Sequence, residues 1–226
     1  MRRLLLGFFI ILTWATTALA QQDYVGRFSA FGGYSFLDSP KLNLFENGFD
    51  GTFGVNIKRW IAFGFDFSIF TGGSNLVPSD LNAATQQQLA PILALLPPGA
   101  TISVPFDATT STYAIGPQIN IRKLQKVTFL VRPALGALHE DVTAKPTDPL
   151  TTAIVAGLLG PSGKTSSTAT FYGFGGGVDI FPKKHVGLRV TADFVHFAIF
   201  QSFLNGGRNA VRFSIGPTFQ FGGNVQ

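Results

Sequence analysis

Cysteine is absent from the 226 residues, which excludes disulfides, thiolate metal sites, a cysteine nucleophile and a lipidated N-terminal cysteine. Charge is scarce: Asp, Glu, Lys and Arg make up 13% of the chain, about half of what a soluble exported domain carries. No Lys/Arg stripe stands out, so the electrostatic footprint of a nucleic-acid binder is missing and no nucleic-acid partner is expected. Beyond residue 20 no apolar stretch approaches the ~20 residues of a transmembrane helix.

What is abundant is phenylalanine, with 24 residues, and glycine, with 26. The chain begins "MRRLLLGFFIILTWATTALA": a positive Arg2-Arg3, an apolar Leu4 to Leu12, and a small-x-small Ala18-Leu19-Ala20. This pattern predicts a secretory signal peptide over 1–20, cleaved before Gln21, and a mature domain over 21–226. An uncleaved anchor fits less well because the apolar part is too short to span. Losing Arg2 and Arg3 lowers the formal charge from +5 to about +3. An exported, apolar chain without helices has one solution in a membrane. Lipid offers no partner to backbone N–H and C=O groups, so strands cross only as a closed sheet.

Alternation is the test. In "IAFGFDFSIF", Ile61, Phe63, Phe65, Phe67 and Ile69 share one face, and Ala62, Gly64, Asp66, Ser68 and Phe70 the other. Seven further segments alternate in the same way, starting at Tyr24, Phe49, Tyr113, Val127, Thr170, Val186 and Val211. The result is eight strands joined by short turns at 58–60, 123–125 and 182–185, and by long loops near 38–47, 72–110, 141–167 and 198–208. The predicted fold is all-β: an eight-stranded antiparallel up-and-down transmembrane barrel with short periplasmic turns and long outer loops. Tyr34, Phe36, Tyr113 and Tyr172 fall where an outer aromatic girdle belongs. A four-strand duplication is a further option, placing Asp66 and Asp193 on opposite sides of the ring.

The inward phase collects Arg27, Lys58, Arg122, Arg132, Arg189 and Arg212 with Asp50, Asp66, Asp179 and Asp193, and Glu140 near the rim. Eight strands leave an interior that side chains fill, so these groups are expected to pair as a plug. The alternative is a small channel lined by the same charges. A second alternative is a soluble exported cup of lipocalin type, with the apolar residues inside.

These segments resemble the outer-membrane β-barrel domain family, the eight-stranded group related to outer membrane proteins A and X. The resemblance covers about residues 22–222 and is carried by "NIKRWIAFGFDFS" (56–68), "YGFGGGVDIFPKKHVGLRVTADF" (172–194) and "VRFSIGPTFQFG" (211–222). It implies a non-enzymatic structural or surface protein of the bacterial outer membrane, with lipid as its surroundings. The last segment is similar to the C-terminal signal read by the barrel-assembly machinery, with Phe213, Phe219 and Phe221 as its aromatics. Here "GGNVQ" follows where that pattern usually stops.

Other motifs carry less. "GLLGPSGKT" (157–165) misses the phosphate-loop register because residue 158 is leucine, and "GFGGGVD" lacks the helix of a dinucleotide site. His139, His185 and His196 have no metal-ligand spacing, and no spacing joins them to Ser202, Glu140 or Asp141 as a hydrolase site. No cofactor is expected. Loop segments 78–99, with Ser79 as N-cap, and 148–163, with Asp148 as N-cap, Pro149 at N1 and a Gly160 stop, read as short amphipathic helices. They would form a lid over one mouth or a site for an extracellular partner. A monomer is expected.

Overall fold

A computed structural model describes residues 22–94 and 101–226. The predicted signal segment and its cleavage residues Ala18, Ala20 and Gln21 lie outside the described residues. Eight strands form a closed antiparallel meander: β1 (Gly26–Ser39), β2 (Leu44–Lys58), β3 (Ile61–Leu76), β4 (Val104–Ile121), β5 (Val127–Ala144), β6 (Lys164–Ile180), β7 (Val186–Phe197) and β8 (Arg208–Asn224). β1 closes the ring on β8, with Tyr34 opposite Ile215 and Phe36 opposite Phe213. No helix of the described residues is long and apolar enough to cross a membrane.

The period of two decides which side chain faces where. On β3, Phe63, Phe65 and Ile69 are 41–48% exposed, whereas Asp66 is 5% exposed and Ser68 fully buried. The outward belt continues with Phe53, Ile115, Val131, Phe174, Val190 and Ile215. Aromatics stack across strands on this surface: Phe28 on Phe221 at 5.7 Å, and Phe36 on Phe213 at 5.3 Å. Such cross-strand pairs reinforce the β1–β8 seam, the one closure not aided by a turn.

At the loop end the strands run further than alternation predicts. β4 starts at Val104 rather than Tyr113, and β6 at Lys164 rather than Thr170. The added pieces, "VPFDATTST" and "KTSSTA", carry hydroxyls on both faces. Threonine favours strands, but nothing apolar faces outward there to show a period. Helix α1 (Ala83–Leu93) is capped by Asn82, whose side chain accepts from the Thr85 N–H at 2.9 Å. The expected cap, Ser79, lies instead in a 3₁₀ turn at Pro78–Asp80. Helix α2 (Pro149–Leu159) follows the sequence: Asp148 caps it and Gly160, at φ +84°, ends it. The Asp148 carboxyl is held below the usual range by the Thr151 N–H, the Thr151 hydroxyl and the Leu150 N–H, against an opposing effect of desolvation.

Candidate functional site

The strands deliver their inward side chains to the lumen in layers. The middle layer gathers Asp66 and its partners. Asp66 on β3 and Asp193 on β7 face each other across the ring, and two arginines bridge them. Arg132 on β5 reaches Asp66 at 3.1 Å and grips Asp193 with Nε and Nη2 at 3.1 and 2.9 Å. Arg212 on β8 grips Asp66 at 2.7 and 3.2 Å and Asp193 at 2.7 and 3.0 Å, and donates to Ser68 at 3.2 Å. Forked guanidinium–carboxylate pairs of this kind offset the desolvation of the charges. Asp50 lies 4.0 Å from Arg212 and accepts from the Ser214 hydroxyl at 2.7 Å. About 40 Å³ remains beside Asp66, Arg132, Arg189 and Arg212, room for a few waters.

A second layer lies toward the turn end. Asp179 and Arg189 are directly opposed on β6 and β7 and joined by two bonds of 2.6 and 2.8 Å. Arg189 also donates to Thr52 at 3.1 Å and lies over the inward ring of Phe31 at 5.6 Å. Arg122, just past β4, is buried without a carboxylate in reach; it donates to the Asn56 amide oxygen at 3.1 Å and to the Arg59 carbonyl.

Two residues assigned to the interior by phase are not there. Arg27 and Lys58 are exposed at the turn end and join none of the lumen's ion pairs. Each sits at a register shift, between Gly26 and Phe28 on the β8 side of β1 and between Asn56 and Lys58 on β2. A bulge adds a residue to one strand, so the alternation no longer says where that side chain points.

A third layer toward the loop end holds Glu140, expected near the rim, with two residues that the sequence reading missed, Arg208 and Glu46. Arg208, 2% exposed, donates to Glu140 at 2.5 Å and lies over the Phe197 ring at 4.9 Å. Glu46, also buried, accepts from Thr110 at 2.8 Å. Glu46 and Arg208 lie in phase with Asp50 and Arg212, so continuing the same count along β2 and β8 would have found them. Between this layer and the middle one, Leu37, Phe70, Leu138, Phe171 and Val195 fill the lumen with apolar side chains. Above it, the mouth closes over a dry cluster that includes Leu42, Phe106, Phe200 and Leu204, with Leu89 of α1 and Ile154 and Val155 of α2. An apolar cavity of about 60 Å³ lies there, with Glu140 at its edge. The β3–β4 and β7–β8 loops are stitched together by Asn82 N–H to the Phe203 carbonyl at 2.9 Å and Asn205 N–H to the Asp80 carbonyl at 2.9 Å.

The histidines lie outside the lumen. His139 contacts the Thr168 hydroxyl at 2.8 Å, with Asp141 at 3.5 Å. The three stand on neighbouring, fully paired strands, and a 3.5 Å separation is outside good hydrogen-bond geometry. Glu140 points to the opposite face, so it cannot serve His139. His196 meets Asn209 at 2.7 Å, and His185 meets the Gln220 carbonyl at 3.0 Å. Phe213, Phe219 and Phe221 all face outward on β8.

No protein-family model matches the sequence, and no curated protein matches it. Solved structures do. Neisserial surface protein A superposes at 11% identity over 86% of this chain and 96% of its own, with a TM-score of 0.53. Outer membrane protein OprG from Pseudomonas aeruginosa does so at 11% identity over 90% of this chain and 99% of its own, with a TM-score of 0.51. The chain has the fold of the eight-stranded outer-membrane β-barrels. In that fold the short turns are periplasmic and the long loops outer. The layers above are then the lumen of a transmembrane barrel, and the Phe-rich belt its outside. That arrangement is the reverse of a lipocalin-type cup.

Proposed function

We propose that this chain is a non-enzymatic integral protein of the bacterial outer membrane, exported by its N-terminal segment, with a closed lumen and an outer-loop surface that meets extracellular partners. The observation that carries this reading is the cross-lumen bridge. Arg132 and Arg212 tie β5 and β8 to Asp66 and Asp193, on strands that face each other across the ring. With those side chains at the axis, the lumen is a packed core rather than a water-filled path. The α1 and α2 segments act as a lid over the outer mouth. Phe213, Phe219 and Phe221 on the last strand serve the barrel-assembly machinery, and the inserted protein works as a monomer.

Planar bilayer recording tests the closed lumen. The wild-type barrel, shown to be folded by heat-modifiable migration on gels, should give no large stable open steps. Regular steps of that kind would make it a small channel instead.

A further inference from the structure

The turn end carries a charge pattern that the proposed function does not use. Eight of the basic residues gather at this end, and six of them are exposed: Arg27, Lys58, Lys123, Lys126, Lys183 and Lys184. None lies within 4 Å of a carboxylate among the described residues; the acidic side chains at this end are Asp23 and Asp179, and Asp179 is bonded to Arg189. The outer loops and strand ends have the opposite balance, with Asp38, Asp80, Asp107, Asp141 and Asp148 against Lys41, Lys145 and Lys164. The excess cations are therefore a property of one rim, not of the whole surface.

On that rim lies an open groove of about 780 Å³ between the β2–β3 turn and the end of β4. One wall is apolar: Trp60, Ile119 and Ile121 are exposed on the lipid side. The other is basic: Lys58 and Lys123 are exposed, and Arg59 and Arg122 lie behind them, with Asn120 and the C-terminal residue Gln226 completing the lining. The two guanidiniums are held by oxygens without formal charge. Arg122 has the Asn56 amide and the Arg59 carbonyl, Arg59 has the Gln22 carbonyl, and the Nε atom of each is buried without a partner. No carboxylate among the described residues lies within 4 Å of either, and Asp179, the acid whose charge acts on Arg122, is already bonded to Arg189.

We infer that this groove is a headgroup site for an anionic glycerophospholipid of the periplasmic leaflet. The phosphate and any second anionic group lie against Lys58 and Lys123, in the field of Arg59 and Arg122, while the first acyl carbons pack on Trp60 and Ile119. Lys126, Lys183 and Lys184 extend the positive rim around the same leaflet. Membrane-facing basic clusters select anionic lipid by this mechanism. The inference rests on the membrane-inserted reading above.

Trp60 supplies the measurement. The other tryptophan, Trp14, lies in the predicted signal segment, so the processed chain carries a single one, at the groove. Chain purified from outer membranes, with processing checked by intact mass, is reconstituted into phosphatidylcholine vesicles. These contain either brominated phosphatidylglycerol or brominated phosphatidylcholine at equal mole fraction, and Trp60 quenching is recorded. The expected result is an association constant about five-fold higher for the anionic lipid, the discrimination of roughly one basic residue near the surface. It should fall toward one in K58Q/K123Q, which still shows heat-modifiable migration, and in high salt. Equal quenching by the two lipids, or a preference that the double variant keeps, overturns the site. Equal quenching together with Lys58- and Lys123-dependent sedimentation on peptidoglycan sacculi overturns it in favour of a cell-wall contact. Quenching by neither lipid overturns the inserted reading itself, a result distinct from loss of the preference alone.

Discussion

Replacing Arg212 by methionine removes the side chain on which the middle layer converges. Arg212 donates five bonds of 2.7–3.2 Å, two to Asp66, two to Asp193 and one to Ser68. Its side chain is 6% exposed, and that of Asp193 is fully buried. Methionine preserves much of the volume but leaves Asp50, Asp66 and Asp193 with Arg132 as their one remaining cation. The cost is therefore set by stranded carboxylates, not by lost packing. Removing one member of a buried pair costs about 3–5 kcal/mol, and the bonds share one guanidinium, so they do not add. The expected loss is about 3–5 kcal/mol of unfolding free energy, read from urea titration in lipid vesicles by gel mobility and Trp60 emission. The variant R212M/D66N separates the causes. It removes one stranded carboxylate and leaves Arg132 its two bonds to Asp193 at 3.1 and 2.9 Å, and it should recover about half the loss. A single variant that costs under about 1 kcal/mol, or a double variant no better than the single one, would refute the argument that unpaired charge sets the stability here.

Two further predictions follow from local geometry. A Cβ on Gly175 would lie 1.7 Å from the Asp193 carboxylate, so Gly175→Ala must push Asp193 off its arginines and cost about 1–3 kcal/mol, while Gly64→Ala, with its nearest atom at 3.6 Å, should be close to neutral in the same titration. Asp148 caps α2 with a lowered pKa, so its contribution is present above the carboxyl's unfolded pKa, about 3.9, and is lost as pH falls through the lowered folded value. Hydrogen exchange of α2 amides, corrected for intrinsic rates, should show protection that fades on acidification in the wild type, stays flat in Asp148→Asn, and is weakened at all pH values in Asp148→Ala.

The legible and illegible parts of the sequence divide along physical lines. The eight strands and the facing of Asp66, Asp179 and Arg189 follow from a period of two, because lipid demands apolar residues on one side of each strand and nothing else in the chain competes with that demand. The Asp179–Arg189 pair was not read from the sequence, although the short turn at 181–185 fixes the register of β6 on β7 that sets them opposite each other. Arg27 and Lys58 were misread because a bulge breaks the count by one residue and leaves no mark in hydrophobicity. Glu46 and Arg208 were missed because they were assigned to the loops at 38–47 and 198–208, although on β2 the period of two continues there, with Phe45 exposed beside the buried Glu46.

The amino-acid sequence by itself determined the class of the molecule: a closed sheet, apolar outside and charged within. That follows from a one-dimensional pattern and the rule that backbone polar groups in lipid must find partners in the protein. Tertiary structure alone decided that Asp66 and Asp193, 127 positions apart, share Arg132 and Arg212, and that Lys58, Arg59, Arg122 and Lys123 line one groove with no carboxylate within 4 Å among the described residues. Such pairings depend on the stagger and closure of the ring, which set heights across the lumen, and no local pattern in the chain encodes a height.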